Sequence, residues 1–311
     1  MKTLAFTLAL AFASPVFAAY AAPTAVPTSS ILSAVATPAE RFESGVLAVE
    51  RHGSRGTPLI LIPGLSSGAW VWQDMVRRLQ GDYVIYVVTL PGFDGRPALA
   101  GPVFDKVGES LRQLIASRKL DRPVVIGHSL GATLAIALGE TDSALLRGVV
   151  AIDGLAVLPG TEQTPPAMRP QMAAAMKARM AGADRSQFVE QQKQYMRAIG
   201  VLDQKLADDI GTLSGRSDPA AVAGIMAEVV ERDLRPGLPK ISVPLLLLAP
   251  FNEKDGTARG INQQMTTEYY TSLMTGTPKL TVVSITPSRH FAMLDQPELV
   301  EKSLREFLKP L

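Results

Sequence analysis

Gly127-His128-Ser129-Leu130-Gly131 is the stretch of this chain best suited to carry chemistry. An apolar run, Pro123-Val124-Val125-Ile126, precedes it, and a run of small and apolar residues from Ala132 to Leu138 follows. A strand, then Gly-x-Ser-x-Gly, then a helix is the layout of a nucleophile elbow. The turn from strand to helix is so tight that the serine must adopt a strained backbone, and neighbouring side chains would collide. Glycines two before and two after remove the clash. The serine hydroxyl is then pushed clear of the backbone at a helix start, where N–H groups can meet a developing oxyanion.

A serine hydroxyl is a weak nucleophile until a base takes its proton and a third group orients that base. With the chain order Ser…Asp…His, the base must lie downstream of Ser129. Of the three histidines, His52, His128 and His290, only His290 does so. It sits in Ser288-Arg289-His290-Phe291, on the loop after the last strand. His128, the immediate neighbour of the serine, is expected to point elsewhere, and His52 is expected in a surface turn. Asp255, in Asn252-Glu253-Lys254-Asp255-Gly256, is the first candidate for the orienting acid, because it follows a strand at the same sheet edge as Ser129. Asp153, which ends the preceding strand, is the alternative, and Glu253 is a third. The two oxyanion donors are expected to be the backbone N–H groups of Leu130 and of Leu65 in Pro63-Gly64-Leu65.

These residues need a scaffold, and the hydrophobic pattern supplies one. Leu59–Ile62, Tyr83–Leu90, Val124–Ile126, Val149–Ile152, Leu245–Leu248 and Leu280–Ile285 are nearly continuous apolar runs, which fits strands buried on both faces. Val46–Glu50 alternates weakly and suits an outer strand. Helical patterns over Trp70–Leu79, Val103–Ser117 and Glu298–Leu308 lie between and after them. The fold expected is α/β: a mostly parallel central sheet flanked by helices.

One segment breaks the alternation. From about Leu155 to Lys240 the pattern is helical throughout, with helices expected near Arg185–Ile199, Asp203–Leu213 and Asp218–Glu231. This insertion is placed to cap the C-terminal edge of the sheet, where α/β active sites lie. Met168, Met172, Met176 and Met180 recur at intervals of four and share one broad helix face. Such a stripe either packs against the body of the domain or forms an adaptable apolar wall for a substrate.

The bulk properties set limits. The chain has 311 residues, 47% hydrophobic and 19% charged, with a formal charge of +2, an ordinary globular composition. No Lys/Arg-dense run with interleaved aromatics points to nucleic acid. The chain contains no cysteine, which excludes disulfides, thiol catalysis and thiolate-bound metals. Three histidines without metal-ligand spacing argue for a metal-independent, cofactor-free protein. Lys2, the apolar run Leu4–Ala13, the break at Ser14-Pro15 and the small residues around Ala18-Ala19 read as a cleavable signal peptide over 1–19. An Ala/Pro/Ser/Thr-rich flexible leader is expected over 20–40, then the domain over 41–311. Secretion or a periplasmic location follows, with no stable membrane span after cleavage.

From about Arg41 to Leu311 the chain resembles the α/β-hydrolase family, in its large branch with a helical cap. The residues that carry the likeness are Pro63-Gly64-Leu65 with Trp70, Leu90-Pro91-Gly92-Phe93, Gly127 to Gly131, Glu253-Lys254-Asp255, and His290-Phe291 followed by Gln296-Pro297-Glu298. Pro63-Gly64 stands where the family often has His-Gly, and Asp94 where many relatives have a small residue. Relatives usually place the acid where Asp255 stands. The resemblance implies an esterase- or lipase-like serine hydrolase; the apolar cap adds the expectation of a small-molecule carboxylic ester with a medium-sized, mainly hydrophobic acyl or alcohol group. Amide or peptide cleavage, C–C bond hydrolysis and haloperoxidase-like chemistry share the fold. A serine nucleophile argues against the dehalogenases and epoxide hydrolases that use aspartate there. A non-catalytic binding protein on the same scaffold is the rival from another class.

Overall fold

The apolar runs become parallel strands because each feeds two cores at once. In Leu59-Ile60-Leu61-Ile62, residues 59 and 61 enter one hydrophobic cluster and 60 and 62 the other. Val124–Ile126, Val149–Ile152 and Leu245–Leu248 split in the same way. Successive side chains leave opposite faces of a strand, so a strand covered on both sides has no polar face. Each such side chain contributes roughly 1.5–3 kcal/mol when fully buried.

The computed structural model describes residues 36–180, 182 and 184–311. The expected signal peptide and all but the last residues of the expected leader lie outside the described residues. Strands β1 (Glu40–Ser44), β2 (Leu47–His52), β3 (Pro58–Ile62), β4 (Val84–Thr89), β5 (Val124–His128), β6 (Gly148–Ile152), β7 (Leu245–Pro250) and β8 (Leu280–Ile285) form one sheet. Its order is β1-β2-β4-β3-β5-β6-β7-β8. β1 and β2 run antiparallel, and every pairing from β4 to β8 is parallel. The chain leaves β3 for β4 on one side and returns to β5 on the other, so a crevice opens between the ends of β3 and β5.

Helices α1 (Gln73–Leu79), α2 (Phe104–Ser117) and α3 (Leu130–Asp142) follow β3, β4 and β5. Between β6 and β7 stand α4 (Arg169–Met180), α5 (Arg185–Tyr195), α6 (Gln204–Ser214) and α7 (Pro219–Glu231). After β7 come α8 (Glu253–Thr257) and α9 (Gln263–Leu273), and after β8 come α10 (Ala292–Asp295) and α11 (Pro297–Leu308). No helix among the described residues is long and apolar enough to cross a membrane.

The cap helices start where side-chain oxygens take up free N–H groups. Asp184 accepts from Ser186 and Gln187 in a full capping box, Asp203 from Leu206, and Asp218 from Ala221. The helix expected to reach Ile199 ends as α-helix at Tyr195, and Met196–Gly200 forms a π-helical turn.

Two differences from the sequence reading lie at the start of the domain. The described end of the stretch read as leader is tied to the domain: the Ala36 N–H donates to Gln73 Oε1 at 2.8 Å, and β1 starts at Glu40. β1 is Glu-Arg-Phe-Glu-Ser, an edge strand with no apolar pattern. Ion pairs Arg118–Glu40 and Arg41–Glu50 hold it, with the Arg118 guanidinium 3.5 Å over the Phe42 ring. His52, expected in a surface turn, is instead buried on β2, with Nε2 3.5 Å from Glu50.

One carboxyl in α3 works against the fold. Glu140 packs so closely on Gly237 that a Cβ there would lie 2.4 Å from Glu140 Oε2. Burial pushes its pKa up to about 7, against the pull of Lys240. A folded-state pKa above the unfolded one means that stability present at low pH is lost as pH rises through 7. The shift corresponds to about 3 kcal/mol, and partial exposure cuts that to roughly 1–2 kcal/mol. Glu140→Gln is therefore expected to raise the urea midpoint at pH 8.5 and leave it unchanged at pH 4. Equal curves at both pH values would contradict this.

Candidate active site

β5 and α3 meet at Ser129, whose backbone takes φ 53°, ψ −119°. That positive φ costs a non-glycine residue about 1–3 kcal/mol. The surroundings hold it there: Ser129 N–H donates to Ile152 O at 2.9 Å, and Ser129 O accepts from Ala132 and Thr133. A Cβ on Gly127 would stand 2.0 Å from Gly131 O, and one on Gly131 would stand 2.2 Å from Ile62 O. The two glycines thus allow strand, helix and the neighbouring β3 to touch backbone to backbone.

Register brings the next loop to the serine. Ile62 pairs with Gly127, so Pro63-Gly64-Leu65 leaves β3 beside the elbow. A Cβ on Gly64 would lie 3.1 Å from Ser129 Cβ. Leu65 and Leu130 flank Ser129 in the wall of one cavity. The Leu130 N–H belongs to the first turn of α3, where N–H groups have no partner within the helix. Ser66, directly after Leu65, also has a positive φ of 57°.

His290 lines the same cavity, and its partner is not the first candidate. Nδ1 of His290 lies 2.5 Å from Asp153 Oδ2. The other oxygen of Asp153 accepts a hydrogen bond from the Tyr270 hydroxyl. Asp153 directly follows β6 with φ 45°, and its N–H donates to Leu248 O at 3.0 Å. Asp255, the first choice from sequence, is engaged elsewhere. Arg289 grips it with two hydrogen bonds of 2.7 and 3.0 Å, and Asn252 adds a third at 2.8 Å. Burial works to raise the Asp255 pKa, and the bonds from Arg289 and Asn252 outweigh it, so the carboxyl sits below its ordinary value. The expected His290–Asp255 contact is not made, because the residue before the histidine takes that carboxylate first. Glu253 is exposed at the start of α8.

His128, expected to point elsewhere, also lines this cavity, and its partners carry information. Its Nε2 donates to the backbone carbonyl of His290 at 3.0 Å, and its ring lies tilted against the His290 ring at 4.7 Å and against Phe291 at 4.5 Å. Burial and the neighbouring His290 charge hold its pKa well below the ordinary imidazole value, so it stays neutral.

The cap grips the same loop. His290 N–H donates to Ile199 O, Phe291 N–H to Gly200 O, and Arg289 Nη1 to Arg197 O. Asp295 bridges the two sides, accepting from Leu202 N–H at 2.9 Å and Arg289 N–H at 2.7 Å, with burial pushing its pKa up to about 6. The π-helical turn exposes the carbonyls that receive these bonds. Tyr195, from α5, stands edge-on to His290 at 6.2 Å. None of these cap contacts is visible in a local pattern. Asp94 also serves the cap: its carboxylate lies 3.2 Å from Arg216, and its N–H donates to Ser217 Oγ.

The cavity holds about 410 Å³. Met176 and Met180 of α4, Phe188 of α5 and Val222, Met226 and Val229 of α7 form its cap wall. The methionine stripe divides: Met168 is exposed, Met172 packs toward Ala173, Ala227 and Val230, and Met176 and Met180 face the cavity. Arg179 and Arg259 stand exposed at the rim. Among the described residues no group of three His, Asp or Glu is arranged to hold a metal ion.

Comparison with known proteins agrees with this fold. The family model described as "Alpha/beta hydrolase family" matches residues 59–302. A 2-succinyl-6-hydroxy-2,4-cyclohexadiene-1-carboxylate synthase of Escherichia coli O157:H7 is 33% identical over 117 residues. That match covers 37% of this chain and 46% of the relative, so it spans less than half of the relative's length. Among solved structures, a thermophilic esterase from Thermogutta terrifontis superposes with a TM-score of 0.67 at 21% identity, covering 88% of this chain and 99% of that one. The enol-lactonase from Burkholderia xenovorans LB400 gives 0.61 at 18% identity, with 85% and 96% covered. At such identities these two structures speak for the fold alone.

Proposed function

The chain belongs to the α/β-hydrolase family, and from that premise we propose that it is an exported serine hydrolase that cleaves small carboxylic esters. The observation that carries this reading is the His290–Asp153 hydrogen bond in the cavity that the strained Ser129 enters.

Ser129 Oγ attacks the ester carbonyl carbon while His290 Nε2 takes its proton. Asp153 holds Nδ1–H and stabilises the imidazolium that forms. The carbonyl oxygen becomes an oxyanion between the N–H groups of Leu65 and Leu130. Collapse breaks the C–O bond, and the imidazolium returns the proton to the leaving alkoxide. Water, deprotonated by His290, then attacks the acyl-serine; the bond to Ser129 Oγ breaks, the acid leaves, and the imidazolium returns its proton to Oγ. The largely apolar cap wall favours an uncharged, hydrophobic acyl or alcohol group, and methionines let it mould to irregular shapes. Export rests on the N-terminal sequence pattern and is checked by the mature N-terminus, expected after Ala18 or Ala19.

The test combines a fluorophosphonate probe with a panel of p-nitrophenyl esters, lactones and amides of graded chain length. Labelling of the folded protein and hydrolysis that favours medium-length esters are expected. Absence of labelling favours a binding protein, and a preference for amides or charged esters overturns the substrate class.

A further inference from the structure

An orienting carboxylate has two oxygens, and the imidazole uses one. In Asp153 the other, Oδ1, accepts from the Tyr270 hydroxyl of α9. Burial comes first and the Asp153 charge second in pushing the Tyr270 phenol well above its ordinary value. The hydroxyl therefore keeps its proton and can only donate toward the carboxylate. The other titratable neighbours add no competing cation. Tyr195 and Tyr269 are likewise held protonated, the latter bonded to Glu162, and His128 is neutral. The guanidinium adjacent to His290 in the chain, Arg289, is committed to Asp255 and to cap carbonyls.

We propose that Tyr270 is a positioning residue for the acid–base pair: its hydroxyl fixes the Asp153 carboxylate with one oxygen on His290 Nδ1 and draws off part of its charge. This role rests on the assignment of Ser129, His290 and Asp153 as the reacting set.

The two aspartates show why a neutral donor suits the task. Asp255 is paired with a full positive charge, which consumes most of the field it could lend an imidazolium. Asp153 is anchored by a phenol, which sets its direction and leaves most of its charge for His290. The backbone of Asp153 is fixed by its N–H bond to Leu248, so the carboxylate's rotation is the freedom left to restrain.

Tyr270→Phe removes the donor and keeps the ring. Without it the carboxylate carries more charge, the imidazolium is better stabilised, and the His290 pKa rises. The acid limb of the kcat/KM profile is expected to move up by about half a pH unit. kcat is expected to fall roughly tenfold with KM little changed. A fluorinated tyrosine at 270, a stronger donor, is expected to move the limb the other way, and serves if Tyr270→Phe does not fold. The His290 ring is titrated by NMR in parallel, without substrate. An unmoved limb and an unmoved His290 titration in folded variants overturn the proposal, whatever the rate. Should the wild type hydrolyse no ester while the His290 titration still shifts with Tyr270, the role stands and the esterase reading falls.

Discussion

Ser129→Ala is expected to lower kcat on an activated ester by about 10⁴–10⁶-fold, because nucleophile, base and acid act as a unit. The remaining activity, roughly 10³-fold over water, would come from the oxyanion donors Leu65 and Leu130 and from substrate binding. The fold should not suffer. Alanine accepts the positive φ about as poorly as serine, and the Ser129 N–H and C=O bonds to Ile152, Ala132 and Thr133 are backbone bonds. A melting temperature near wild type with loss of fluorophosphonate labelling is the expected pair of results. Ser129→Gly separates strain from chemistry. Glycine takes φ 53° freely, so this variant should be as inactive and more stable by about 1 kcal/mol. Full activity in either variant would remove Ser129 from the mechanism.

The parts of this site that were legible in sequence are those fixed by contacts close along the chain. Gly127 is demanded by backbone atoms of Gly131 and Ala132, and Gly131 by those of Ile62 and Pro63, while the flanking apolar runs identify the strand and helix. The alternating burial of β3, β5, β6 and β7 in two cores leaves continuous apolar runs, so the sheet could be read directly. β1 was hidden because ion pairs and one cation–π contact hold it, and these leave no periodicity. The carboxylate partner of His290 was hidden for a different reason. Asp153 and Asp255 both follow strands at the same sheet edge, and each ends a plausible path to His290. The choice is made by Arg289, which captures Asp255, and by Tyr270, 117 residues beyond Asp153 in the chain. Side-chain competition of this kind exists only once the fold has formed. The cap's hold on His290 through Ile199, Gly200 and Asp295 was equally out of reach, since it runs mostly through backbone groups.

Asp153→Asn and Asp255→Asn should therefore separate widely, by about three orders of magnitude in kcat. At position 153 an amide cannot serve both partners. If its oxygen accepts from Tyr270, its NH₂ faces His290 Nδ1 and stabilises the wrong tautomer, which costs roughly 10³–10⁴-fold. If its oxygen turns to His290, the NH₂ meets the Tyr270 hydroxyl and the imidazolium still loses its countercharge. At position 255 the loss is an ion pair with a partly exposed carboxylate, worth about 0.5–1 kcal/mol. Arg289 keeps its bonds to the Arg197 and Val201 carbonyls, so the histidine loop stays seated and kcat should hold within about tenfold. The pH dependence has a definite sign. Asp255 is held below its ordinary carboxyl value, so the pair's stabilisation is present above that range and fades as pH falls through it. Wild type and Asp255→Asn should thus differ in urea stability at pH 7 and converge in acid. The reverse ranking of activities, with Asp255→Asn inactive and Asp153→Asn active, would mean that Arg289 releases Asp255 to His290 when substrate binds. In that case the pairing seen here would be a resting arrangement, and Tyr270 would hold a carboxylate that the reaction does not use.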